Sequence, residues 1–116
     1  MSQKVYDLEE RSFQFAKSVS CFCKKIIKNS SNIVYINQLI RSSSSVGANY
    51  IEANESLGKK DFKMRIKISR KEAKEAAYWL RLIIETNDGK INKEEALKFF
   101  NEAIELKKIF SSMINR

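Results

Sequence analysis

Gln38-Leu-Ile-Arg-Ser-Ser-Ser-Ser-Val-Gly-Ala-Asn-Tyr-Ile-Glu-Ala-Asn54 is the stretch whose reading decides the fold. Leu39, Ser43, Val46, Tyr50, Ala53 and Leu57 recur at three- and four-residue steps, the spacing of one helix face. Yet the stretch holds four consecutive serines and a glycine, all poor helix formers. Gly47 alone costs about 1 kcal/mol against alanine in a helix interior. Packing is the expected compensation. Ser43, Gly47 and Ala48 present almost no side chain, so a neighbouring helix can approach the backbone closely. The functional alternative is that Arg41 and the hydroxyls of Ser42, Ser44 and Ser45 contact phosphate or another polar partner.

The rest of the chain extends the helical reading. Its 116 residues suffice for one core but not two. Proline is absent and glycine occurs three times, which predicts long uninterrupted helices. The first is expected over 7–28, with Asp7 as its cap and Leu8, Ser12, Phe15, Val19, Phe22 and Ile26 inward. Phe13, Ala16, Cys23 and Ile27 widen that apolar surface, and Lys24, Lys25 and Lys28 fall in the last turn, where cations suit the helix dipole and where the three are expected as secondary contributors to nucleic-acid binding. Asn29-Ser30-Ser31-Asn32 is a break in which Ser31 or Asn32 can cap a second helix over 33–56. That helix is nearly free of charge and is expected to be buried on more than one side. Arg41, Asn49 and Glu52 would then be partly desolvated and need partners, inside the bundle or across a subunit interface. A catalytic role for Glu52 is the minor alternative.

Gly58 is the expected end of that helix and Asp61 the cap of a third, over 62–86. At about 100° per residue its side chains fall into three sectors. Phe62, Ile66, Ser69, Ala73, Ala76, Leu80 and Ile83 form the inward stripe. Lys60, Lys63, Lys67, Arg70, Lys71, Lys74 and Arg81 gather on one flank with Tyr78 beside them, the form of a surface that tracks a phosphate backbone. A solvated face with internal pairs such as Lys71 to Glu75 is the competing explanation. The opposite flank sets Glu72 and Glu75 among Met64, Ile68, Trp79 and Leu82, more apolar surface than a lone bundle helix should show. Self-association through Ile68, Glu75 and Trp79 would explain it, as would a deeper position in the bundle. Asp88-Gly89 marks a turn, and Asn92 can cap a fourth helix over 92–114 that packs through Leu97, Phe100, Ile104, the stem of Lys107 and Phe110. Phe99, Leu106, Ile109 and Met113 add contacts. Four amphipathic helices on short links predict an all-α, up-down-up-down antiparallel four-helix bundle.

Composition bounds the function. A net charge of +8 points to a polyanion, nucleic acid before a membrane surface, although plain solubility also favours charge. No segment approaches the roughly 20 apolar residues of a membrane span. The N-terminus is too acidic for a secretory signal, so the cytoplasm is expected. Histidine is absent, which removes Ser-His and Cys-His arrangements. Two cysteines are too few for a zinc site; they lie two apart on a helix, cannot easily bridge each other, and are expected to be buried and reduced. The glycines form no phosphate-cradling loop, and the inward stripes hold no carboxylates. Neither an enzyme nor a cofactor is predicted. A small basic nucleic-acid-binding protein is the leading expectation; a scaffold for protein partners is the alternative.

Gln38, Arg41, Ser42, Ser43, Ser45-Val46, Ala48-Asn49, Ile51-Glu52 and Ser56 resemble one signature of a bacterial four-helix-bundle family. Asp61-Phe62, Ile68 to Glu75 and Tyr78 to Leu82 resemble the other. The family was first described from proteins encoded in intervening sequences of 23S ribosomal RNA genes, is sometimes labelled ribosomal-protein-like, and resembles the accessory protein of diversity-generating retroelements. Ala53 departs from the pattern, where the family favours glycine. The resemblance implies the same bundle fold and assembly into a homopentameric ring. It also implies nucleic acid as a partner, RNA before DNA, with a reverse transcriptase as a possible protein partner.

Overall fold

In the computed structural model, residues 3–115 are described, and four helices run α1 Gln3–Cys23, α2 Ser30–Asn54, α3 Lys59–Thr86 and α4 Lys93–Ile114. Each packs on its neighbour in sequence, and α1 closes on α4, in a body 46 × 23 × 20 Å. Side-chain pairs fix the directions. Asn54 at the end of α2 donates to Glu9 near the start of α1, and only the link 24–29 joins the two helices, so α1 and α2 are antiparallel. Arg41 reaches Glu72, and Asn32 reaches Asn87, which sets α2 antiparallel to α3. Arg11 meets Glu102 and Lys25 meets Glu95, so α4 returns antiparallel to α1.

Helix ends differ from the sequence expectation for local reasons. No glycine or proline stops α1 upstream of Asp7, so the helix begins at Gln3 and Asp7 lies inside it rather than capping it. The same helix closes at Cys23 through tightened bonds from Lys25 N to Phe22 O (3.1 Å) and Ile26 N to Cys23 O (3.2 Å). Lys24, Lys25 and Lys28 therefore lie beyond the last turn instead of in it. Asn29, not Ser31 or Asn32, caps α2 by accepting from Asn32 N at 2.9 Å. Asn32 turns inward instead and exchanges amide hydrogen bonds of 2.9 and 3.0 Å with buried Asn87. Gly58 precedes α3 rather than ending α2, and Asp61 sits in the first turn without capping. Asn92 does cap α4, accepting from Glu95 N at 3.0 Å. Gly89 holds the α3–α4 turn at φ 75°, a left-handed conformation that favours glycine.

The core follows the predicted stripes of α1, α2 and α3. Leu8, Ser12, Phe15, Val19, Phe22 and Ile26 are buried, as are Leu39, Ser43, Val46, Tyr50 and Ala53. Ile66, Ser69, Ala73, Ala76, Leu80 and Ile83 are wholly enclosed. Tyr50 and Phe110 meet across the centre with ring centroids 5.7 Å apart. Five residues depart from the expected burial. Leu57 is fully exposed because α2 has already ended, and Phe13 and Ile27 face outward. Cys21 is exposed, while Cys23 is buried and its thiol pushed up to about 11 by desolvation. On α4 the buried positions are Ala96, Ala103, Leu106 and Phe110, with Leu97 exposed. Phe100, Ile104, Phe99, Ile109 and Met113 pack against the core as expected, so the departure on α4 is confined to Leu97, whose place next to the core is taken by Ala96.

The serine run is reconciled with a helix by its own backbone. Ser42 bonds Leu39 O, Ser43 bonds Ile40 O, Ser44 bonds Ile40 O and Ser45 bonds Arg41 O, at 2.7–3.3 Å. Such back-bonding keeps the hydroxyls satisfied without leaving the helix. Ser42 is buried and cannot reach an external phosphate, contrary to the alternative role set out for it. Across from this run, a Cβ on Gly47 would lie 3.1 Å from Ser12 Cβ, so α1 and α2 approach closely there.

Candidate nucleic-acid interface

The α3 register that buries Ile66, Ser69, Ala73, Ala76 and Leu80 determines where its charges go. Ser69 anchors that register by donating to Val46 O on α2 at 2.9 Å. On the α2 side, Glu72 is buried rather than exposed and accepts from Arg41 Nη1 at 3.1 and 3.3 Å; Glu75 accepts from Arg41 Nη2 at 3.4 Å. Asn49 also finds a partner, accepting from Arg65 at 3.2 Å and donating to Ser45 O at 2.9 Å. Glu52 needs none, because it faces solvent.

Burial chiefly, and then Glu75, raises the Glu72 carboxyl above its ordinary 4.5, with Arg41 opposing. A carboxyl raised on folding binds its proton more tightly in the native state. Its contribution to stability is therefore complete below 4.5 and lost as pH rises through the raised value. Glu72→Gln should remove that loss, so stability measured by urea unfolding from pH 4 to 7 should fall less steeply than in the parent chain.

On the other flank, Lys60, Lys67, Lys71, Lys74 and Arg81 are exposed, and Lys63 and Arg70 half-buried. The Lys71–Glu75 pair that would make this an internally neutralised surface does not form; Glu75 is held by Arg41. Among the described residues, none of these seven cations lies within 4 Å of a carboxylate. Lys67, Arg70, Lys71 and Lys74 form one wall of a cleft of about 320 Å³, with Lys107 and Ser111 of α4 as the other. No acidic residue lines it. Lys60, Lys63 and Lys67 continue the surface around a second hollow that includes Asp61 and Met64. Tyr78 stands exposed farther along the helix.

The three lysines after α1 are not equivalent members of this surface. Lys28 donates to Cys23 O and Ile26 O, both at 3.1 Å, and closes the end of α1. Lys25 pairs with Glu95 at 2.8 Å, and Lys24 is exposed. Trp79 is half-buried, stacked on Tyr35 at 6.2 Å and edge-on to Tyr78 at 5.1 Å, and Ile68 is half-buried too. The indole stacks on its own chain on one side, and its buried Nε1 has no partner among the described residues. Lys107 and Ser111 escaped the sequence reading, which assigned Lys107 to packing by its stem. The available signal was the tight turn at Asp88-Gly89, since folding α4 back about it sets Lys107 opposite Lys71.

A small basic helical bundle with an unneutralised cationic cleft is the class these features define. Residues 4–112 match the family described as 23S rRNA-intervening sequence protein, and the chain belongs to that family. A solved structure from Bacteroides thetaiotaomicron, a protein with unknown function from the S23 ribosomal protein family, is similar at 31% identity. The match covers 94% of this chain and 99% of that one, with a TM-score of 0.83. No curated protein matches the sequence. No helix of the described residues is long and apolar enough to cross a membrane.

Proposed function

We propose that this protein is a non-enzymatic nucleic-acid-binding protein that holds RNA by its phosphates along the basic face of α3. The observation that carries the reading is the cleft at Lys67, Arg70, Lys71 and Lys74, where cations converge and no carboxylate answers them. A solvated, merely solubilising face has no reason to segregate its acids, yet Glu72 and Glu75 are turned to the far side and engaged by Arg41. Contacts of this kind bind backbone rather than sequence, so little base preference is expected. Membership of a family described by ribosomal RNA intervening sequences supports RNA over DNA. A salt-titrated binding assay with structured RNA, single-stranded RNA and duplex DNA tests it. Submicromolar affinity for RNA that weakens steeply with salt is expected. Absence of binding by the folded protein at about 0.15 M salt would overturn the reading and favour a protein scaffold.

Self-association is the second part of the proposal. The outward face of α2 carries Ile33, Asn37, Ile40, Ser44, Ala48 and Ile51 at helical spacing, and all six are exposed. A solvent face without a single charge along its centre is unusual for a bundle helix. Ile68 and Trp79 border it across the Arg41 bridge. We place the contact between copies on this face; the homopentameric ring that the family resemblance implies is the expected assembly. Ile40→Glu with Ala48→Glu should convert the assembly to monomers by light scattering while helicity by circular dichroism is kept. An unchanged mass would return the face to free surface.

A further inference from the structure

Four of the cleft's cations, Lys67, Arg70, Lys71 and Lys74, sit on successive turns of one helix face. Lys67 with Lys71 and Arg70 with Lys74 are like charges four residues apart, an arrangement that disfavours a helix. Lys107 adds a fifth positive charge from the opposite wall, and Ser111 places a hydroxyl one turn beyond it. The α4 carboxylate Glu102 is drawn away by a two-pronged bond from Arg11 at 2.7 and 2.8 Å, on the α1 side of the bundle. The chain therefore tolerates repulsion along this face while Glu72, Glu75 and Glu102 are engaged elsewhere. Conflicts between local preference and global fold of this kind concentrate at functional sites.

The dimensions indicate what would relieve it. Lys67 to Lys74 spans about 10 Å at the helical rise. A row of that length is longer than one phosphate group, so it can meet more than one phosphate of a strand. A single inorganic phosphate would meet only part of it.

We propose that the α3–α4 cleft is an oligophosphate seat that takes consecutive phosphates of one strand, with Lys107 and Ser111 of α4 as its far wall. The inference rests on the nucleic-acid reading above, and goes beyond it by making binding a two-helix event in a defined cleft. The chemistry recognised is a run of linked phosphates, from an RNA backbone or from a free polyphosphate.

The test compares Lys107→Gln, Ser111→Ala and Lys108→Gln in the full chain. Lys108→Gln removes the same charge one residue along, at an exposed position outside the cleft. Each variant is assayed by salt-titrated binding to structured RNA and by thermal melting with added tripolyphosphate. Lys107→Gln should weaken RNA binding about fivefold and reduce the salt slope by about one, whereas Lys108→Gln should cost less than about twofold. Tripolyphosphate should raise the melting temperature of the parent chain and compete with RNA. Its effect should be smaller for Lys107→Gln and for Ser111→Ala. If the parent binds RNA but Lys107→Gln and Lys108→Gln behave alike in both assays, the cleft is wrong and the broader reading survives. If tripolyphosphate stabilises in a Lys107-dependent way but RNA does not bind, the seat stands for free oligophosphate and the RNA reading falls. Failure of the parent chain to respond to either ligand would overturn the seat.

Discussion

Lys67→Glu, Arg70→Glu and Lys74→Glu introduced together are expected to abolish RNA binding while leaving helicity and oligomer size unchanged. The magnitude follows from counterion release. Each phosphate contact contributes about 0.7–0.9 to the dependence of log affinity on log salt. Three lost contacts should lower the salt slope by two to three and weaken binding by about 100-fold at 0.15 M salt, with charge reversal adding repulsion. The fold should survive because none of the three residues is buried and none is in an ion pair. The exchange turns the Lys67–Lys71 repulsion into an attraction but leaves a like-charge pair at 70 and 74, so its net effect on the helix should be small. Filter binding against structured RNA over a salt series measures the first effect; circular dichroism and light scattering measure the second. Retained affinity would remove α3 from the interface. Loss of helicity would mean that these side chains contribute to packing, against their outward placement.

How much of this was legible beforehand depended on whether a residue's role was set by its own helix or by the next one. The inward stripes of α1, α2 and α3 are local periodicities, and Val19, Leu39, Val46, Ile66 and Leu80 are buried as their spacing requires. At the start of α4, Leu97 and Ala96 are equally plausible from periodicity, and Ala96 is the one buried. The choice fell to how close the helix axes come, which only the partners decide. The same distinction separates Lys67 from Lys25. Both read as exposed cations, but Lys25 meets Glu95 across the bundle, 70 residues away in sequence. Glu72 looked like a surface carboxylate until α2 brought Arg41 beside it at 3.1 Å. Trp79 illustrates the limit on apolar residues: its spacing marked a flank, and Tyr35 from α2 then covered much of it. The basic cleft was half legible, since its α3 wall is one helix face, whereas its α4 wall exists only through tertiary pairing.

Gly47→Leu is expected to be the most destabilising single change in α2. Helix propensity argues the other way, since replacing a helical glycine gains up to about 1 kcal/mol. Sterics decide. Even a bare Cβ at position 47 would stand 3.1 Å from Ser12 Cβ and 3.6 Å from the Ser12 carbonyl carbon, so the neighbour is backbone as well as side chain. An alanine asks for a shift of a few tenths of an ångström, and its propensity gain should roughly cancel the strain. A leucine adds three more carbons into the same gap and must push α1 off α2. Overpacking of a tight core costs about 1–3 kcal/mol and occasionally more, and this site lies at the upper end because no flexible side chain can yield. For a domain of this size that corresponds to a fall in melting temperature of about 10 °C. Ser12 supplies the control. Its hydroxyl is buried with no hydrogen-bond partner, so Ser12→Gly removes both an unsatisfied polar atom and the atom nearest position 47. Because Ser12→Gly also forfeits helix propensity inside α1, it should bring Gly47→Ala to about the parent melting temperature while rescuing Gly47→Leu only in part. Unaltered melting of Gly47→Leu would show that α1 can move aside freely, and the serine-glycine run of α2 would then need a reason other than close helix approach.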